Sequence, residues 1–91
     1  MKIIFSQHAI EQMFKRDIRI SDIKEALDSG EIMQKYPDDK PYPSKIVLSY
    51  KDKLPLHVVY AFNEADNEII VITAYHTDPS IWEDDFKTRK N

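Results

Sequence analysis

The chain has 91 residues, with one glycine, no cysteine, and 13 basic against 16 acidic side chains for a formal charge of −3. That length suits one domain spanning residues 1–91, with a core that needs no covalent staples. The missing cysteines exclude thiol nucleophiles and cysteine-ligated zinc, and the mild acidity argues against DNA binding by the chain alone, since phosphate contacts call for basic surface.

Lys2–Phe5 reads as a short strand, and its apolar run is too short for a signal peptide. No stretch approaches a membrane span, so a cytoplasmic protein is expected. Ser6 is placed to cap a helix over Gln7–Asp17, in which Ala9, Ile10, Met13 and Phe14 are spaced to share one face. Ser21 opens a second, shorter helix through Asp28 with a stripe of Ile23, Ala26 and Leu27. Gly30 follows where a left-handed residue is wanted after a helix.

Glu31–Tyr36 alternates as a strand does. The segment Pro37–Ser44 contains three prolines, which rule out helix and central strand and stiffen the loop. Lys45–Tyr50 is a further strand, with Ile46, Leu48 and Tyr50 on one side. The runs Leu56–Phe62 and Ile69–Tyr75 are rich in Val, Ile, Tyr and Phe. The residues between them, Asn63-Glu64-Ala65-Asp66-Asn67, tolerate turns, so the pair reads as a β-hairpin.

With Phe62 facing Glu68, one face of the hairpin carries Leu56, Val58, Tyr60, Ile70, Ile72 and Ala74 and should meet the core. The other carries His57, Val59, Ala61, Val71, Thr73 and Tyr75. Asp78-Pro79 then starts a C-terminal helix with Ile81, Trp82 and Phe86 on its apolar side. The order β-α-α-β-β-β-β with a terminal helix is α+β, and short connections favour an antiparallel sheet with helices against one face.

No metal or cofactor is expected: His8, His57 and His76 lack the close spacing of a zinc motif, and no glycine loop cradles a phosphate. His57 is the residue placed to move protons near neutral pH. The plainer reading makes it a half-buried histidine bonded to Thr73 or a backbone group. Tyr75 and Tyr60 share that ambiguity between chemistry and packing. Arg16 either caps the dipole at the end of the first helix or clamps an anion.

The run His8-Ala9-x-x-x-Met13-x-x-Arg16-x-Ile18 carries a resemblance, together with Tyr36-Pro37-Asp38-Asp39-Lys40-Pro41-Tyr42-Pro43, Leu56-His57-Val58-Val59, Ile72-Thr73-Ala74-Tyr75 and Asp78-Pro79-x-x-Trp82. The chain resembles an uncharacterised bacterial family, catalogued as a domain of unknown function, that is similar to the RelE/ParE superfamily. It is closest in flavour to MqsR-type toxins, and its members are often encoded beside YgiT-type zinc-finger antitoxins. The resemblance implies a RelE-like fold and, by superfamily analogy, messenger-RNA cleavage with or without the ribosome, with a zinc-finger or other antitoxin as protein partner.

The chemistry so implied is attack of a ribose 2′-hydroxyl on the adjacent phosphate, which needs a base, an acid and cations. In that scheme His57 is the acid or base, Arg16 or Lys87 stabilises charge, and Tyr75 donates a proton or stacks a base. His8, Tyr36, Lys45 and Thr73 are the candidate substrate contacts. Gln12, where relatives commonly carry arginine, and the net acidity favour an alternative: a non-catalytic, partner-binding module of the same fold. A third option is small-molecule binding in a pocket walled by the proline loop.

Overall fold

The structure, a computed structural model, describes residues 2–77. The expected C-terminal helix, including Trp82 and Lys87, lies outside the described residues. In chain order the elements are β1 (Lys2–Phe5), α1 (Gln7–Lys15), α2 (Ile20–Ser29), β2 (Glu31–Tyr36), β3 (Ser44–Lys51), β4 (Leu54–Asn63) and β5 (Glu68–His76). They form one five-stranded sheet in the order β1-β5-β4-β3-β2, an α+β arrangement.

The sheet is mixed, where an antiparallel one was expected. β1 runs parallel to β5, with Ile4 opposite Ile70, while β2, β3, β4 and β5 pair antiparallel in sequence. Two helices separate β1 from the meander. That long connection lets β1 enter beside the last strand in the same direction, as parallel neighbours require. No helix among the described residues is long and apolar enough to cross a membrane.

Ser6 begins the first helix as expected: its side chain accepts from the Ala9 N–H at 3.0 Å. The helix ends at Lys15, two residues early. Ile18 N–H donates to Met13 O and Asp17 N–H to Phe14 O, with Asp17 at φ 54°. This is a Schellman ending with an aspartate in the left-handed position, and buried Ile18 packs back toward Met13. The next helix is capped at Arg19 rather than Ser21, because Asp22 reaches back and its carboxylate accepts the Arg19 N–H at 2.8 Å.

Gly30 is not left-handed; its φ is −70°. Glycine is needed there for space. A Cβ would sit 2.4 Å from the Ala26 carbonyl oxygen and 3.1 Å from that of Leu48. Both obstacles are backbone atoms, which cannot rotate away.

The core gathers Ala9, Met13, Ile18, Ile23 and Ala26 from the helix layer with Val47, Leu56, Val58, Val71 and Ala74 from the sheet. The stripe expected on α1 is only half buried. Ala9 and Met13 are enclosed, but Ile10 is 56% exposed and Phe14 90% exposed.

The central hairpin also departs from simple alternation. Val59 pairs with Thr73 but Tyr60 pairs with Val71, so Ile72 is an extra residue in β5, a β-bulge. A one-residue slip reverses the facing of everything beyond it. Val71, expected on the reverse face, is therefore fully buried in the core with Ile69 beside it, and Ile72, expected in the core, joins Val59 on the reverse face. Phe62 faces Ile69 instead of Glu68. Ser6 holds the bulge: its hydroxyl donates to the Ile72 carbonyl at 2.9 Å, and its N–H donates to Val71 O at 3.0 Å.

Lys51 joins the β3–β4 end of the sheet to the α1–α2 turn. Its ammonium lies 3.2 Å from the Asp22 carboxylate and also donates to the Asp17 carbonyl. Burial pushes the Asp22 carboxyl up, but the Arg19 N–H and the Lys51 ammonium outweigh it and hold the pKa below the ordinary aspartate value.

Two outcomes follow. Ser6→Ala removes both the helix cap and the donor at the bulge and should lower stability by about 1–2 kcal/mol in urea denaturation. The depressed Asp22 pKa means its contribution is complete above the unfolded value of about 3.9 and is lost as pH falls through the lower folded value. Asp22→Asn should thus be less stable than wild type at about pH 7, and the gap between their urea midpoints should close toward about pH 3.

Candidate functional site

The sheet face turned away from the helices carries the residues singled out for chemistry. His57 stands opposite Tyr75 on β5 and opposite Leu48 on β3; Thr73 pairs with Val59 one step along the same face. His57 Nδ1 and the Tyr75 hydroxyl oxygen are 3.3 Å apart, and the rings meet edge to face with centroids 5.3 Å apart. Either the phenol donates to Nδ1 or Nδ1–H donates to the phenol oxygen, according to the imidazole tautomer, and an imidazole is a group able to exchange protons near neutral pH. His57 is also fully buried, at 0% exposure, so no substrate atom touches it in this conformation.

The remaining candidates are spread over the molecule. Arg16 is exposed at the C-cap of α1, in the helix layer, with the sheet between it and His57. Its backbone N–H donates to Gln12 O at the end of the helix. His8 is exposed in the first turn of α1. Lys45 pairs with Tyr60, whose ring packs against the helix-side core, so Lys45 belongs to that face. Lys87 lies outside the described residues. The structure thus brings together His57, Tyr75 and Thr73, and leaves Arg16, His8 and Lys45 on the other side of the sheet.

Tyr36 lies at the end of β2, where the proline loop begins. Here the loop walls a cleft of about 520 Å³ whose lining includes Tyr36, Asp38, Asp39, Val59 and Ile72. Asp39 organises the loop. One carboxylate oxygen accepts from the Ser44 hydroxyl at 2.7 Å and the other from the Lys40 N–H at 2.9 Å. The bulge contributes directly, because without the slip at Ile72 that side chain would face the core.

Two surface features had no signal in the sequence reading. Ile10, Phe14 and Ile20 line an apolar hollow of about 640 Å³ beside α1. Phe14 fits a core stripe by spacing, yet its side chain is exposed. At the far end of the sheet, Tyr42, Tyr60 and Phe62 surround a second cleft together with Lys45. Burial raises the pKa of the Tyr60 phenol, which therefore stays protonated.

The His57–Tyr75 contact makes a stability prediction separate from any activity. Tyr75→Phe keeps the ring and deletes the hydroxyl beside a fully buried imidazole, and should lower stability by about 1–2 kcal/mol in urea unfolding. An unchanged midpoint would show that the contact contributes nothing to folding.

Neither the curated proteins nor the solved structures gave a match to this chain. Residues 5–76, from the last residue of β1 to the last residue of β5, match the profile of the family described as Domain of unknown function (DUF4258). The chain belongs to that family.

Proposed function

We propose that the protein is a cytoplasmic toxin-like protein of the RelE/ParE type, a messenger-RNA endoribonuclease whose protein partner is a zinc-finger antitoxin. The carrying observation is the His57–Tyr75 pair, an imidazole and a phenol 3.3 Å apart on the sheet face away from the helices. The element order β-α-α-β-β-β-β supports a RelE-like fold.

In this reading one member of the pair accepts the proton of the ribose 2′-hydroxyl as the 2′-oxygen attacks the adjacent phosphorus. The phosphorus–5′-oxygen bond breaks, and a proton is delivered to the departing 5′-oxygen, leaving a 2′,3′-cyclic phosphate. Thr73 and Tyr36 lie on the same face and are placed to contact the substrate. Charge stabilisation passes to Lys87, since Arg16 sits in the helix layer. Because His57 is fully enclosed, this reading requires that the pair be uncovered when RNA binds.

The burial of His57 favours a second reading, a partner-binding module of the same fold without catalysis, for which exposed Phe14, Ile10 and Ile20 supply an apolar contact surface. One experiment separates the two: purified protein incubated with messenger RNA, with and without ribosomes. The enzyme reading expects shortened RNA, with His57→Ala and Tyr75→Phe slowing cleavage by about 10²–10⁴-fold, the usual size of acid–base catalysis. RNA left intact under both conditions removes the nuclease. Retention of a neighbouring zinc-finger protein in that case leaves the partner-binding module.

A further inference from the structure

Lys35, Lys45, Tyr60 and Val71 occupy one row across four strands: Lys35 pairs with Lys45, Lys45 with Tyr60, and Tyr60 with Val71. Val71 is at the heart of the core, so this row belongs to the helix side of the sheet. Two ammonium side chains directly opposite each other in an antiparallel pair repel, and such pairs are destabilising. Among the described residues neither makes an ion pair.

Beside Lys45 the sheet end opens into a cleft of about 400 Å³, within the range of small-ligand sites. Tyr42, Tyr60 and Phe62 line it, all three half-buried, so ring surface remains available. The walls are held firmly. The Phe62 N–H donates to Pro43 O at 3.0 Å, and the Asn63 amide donates to the Asp66 carboxylate at 3.0 Å, fixing the turn that carries Glu64. Glu64, on the rim, accepts hydrogen bonds only.

We infer that this cleft is a nucleotide-binding site, with a nucleobase stacked on the Tyr60, Phe62 and Tyr42 rings and its phosphate held by Lys45. Aromatic faces accept any base, and cations beside them hold the backbone phosphate, which is how single-stranded nucleic acid is gripped without sequence reading. Glu64 accepts from N–H groups on the base edge, so a base rich in such donors, guanine, is favoured. The site lies on the opposite face of the sheet from His57 and does not depend on the cleavage reading.

The test is titration of the whole protein with GMP, guanosine and inorganic phosphate, followed by amide chemical shifts. GMP should move the signals of Lys45, Tyr60 and the Asn63–Ala65 turn at concentrations about tenfold lower than phosphate or guanosine alone, because stacking and charge act together. Lys45→Glu should raise the GMP concentration needed by about tenfold and leave guanosine unaffected. Tyr60→Leu should reduce GMP to the level of phosphate; if that variant does not fold, Tyr42→Ala in the loop replaces it. The inference fails if GMP binds no better than phosphate, if the shifts fall elsewhere, or if Lys45→Glu binds GMP as wild type does. His57→Ala should keep GMP binding, so loss of cleavage and loss of this site are read separately.

Discussion

A single extra residue in β5 governs how this molecule is divided. Ile72 has no partner in the ladder, and the strand on either side of it is therefore turned by one step relative to β4. On one side of the bulge Ala74 faces the helices while Tyr75 faces away; on the other, Val71 and Ile69 face the helices. Ser6 stabilises this arrangement from outside the hairpin, bonding the Ile72 carbonyl with its hydroxyl and the Val71 carbonyl with its N–H. The same hydroxyl caps α1. The start of the helix layer and the twist of the central hairpin thus share one side chain, and a strand bulge is commonly where a sheet re-aims its side chains.

The two faces of the sheet have separate chemistry. The helix side holds the core, and at its uncovered end the Lys35–Lys45 row and the aromatic cleft. The reverse side holds the His57–Tyr75 pair and the cleft under the proline loop. Lys51 binds the helix layer to the sheet at the opposite end from the aromatic cleft, through Asp22 and the Asp17 carbonyl. The ion pairs therefore sit at the margins, and the helix-side core between them is apolar. This is the arrangement that low dielectric favours, since an unpaired charge inside is far more expensive than an apolar side chain.

Much of the local structure could be read from residue order. Ser6 as a cap, the helix-breaking prolines and the β-branched runs of the hairpin each act through neighbours a few residues away, and each appears where expected. The failures share a different cause. Asp17 ends α1 early because its left-handed backbone is rewarded by two capping bonds and by burial of Ile18, a gain that depends on the core. Gly30 was expected for its torsional freedom and is required instead for space, chiefly against the Ala26 carbonyl and then against that of Leu48 on β3. Arg16 and His57 share no face, because one follows a helix and the other sits on the far side of the sheet that helix covers.

Sequence alone determined the α+β class, the two helices, the meander of four strands and the shared face of His57 and Tyr75. These rest on side-chain periodicity, capping and turn chemistry, all short-range effects. Tertiary structure decided the parallel entry of β1, the reversal of Val71 and Ile72, the exposure of Phe14 and the complete burial of His57. Each of these depends on which surfaces meet across the fold, and alternation along a strand or a helix says which residues share a face but not what that face will touch.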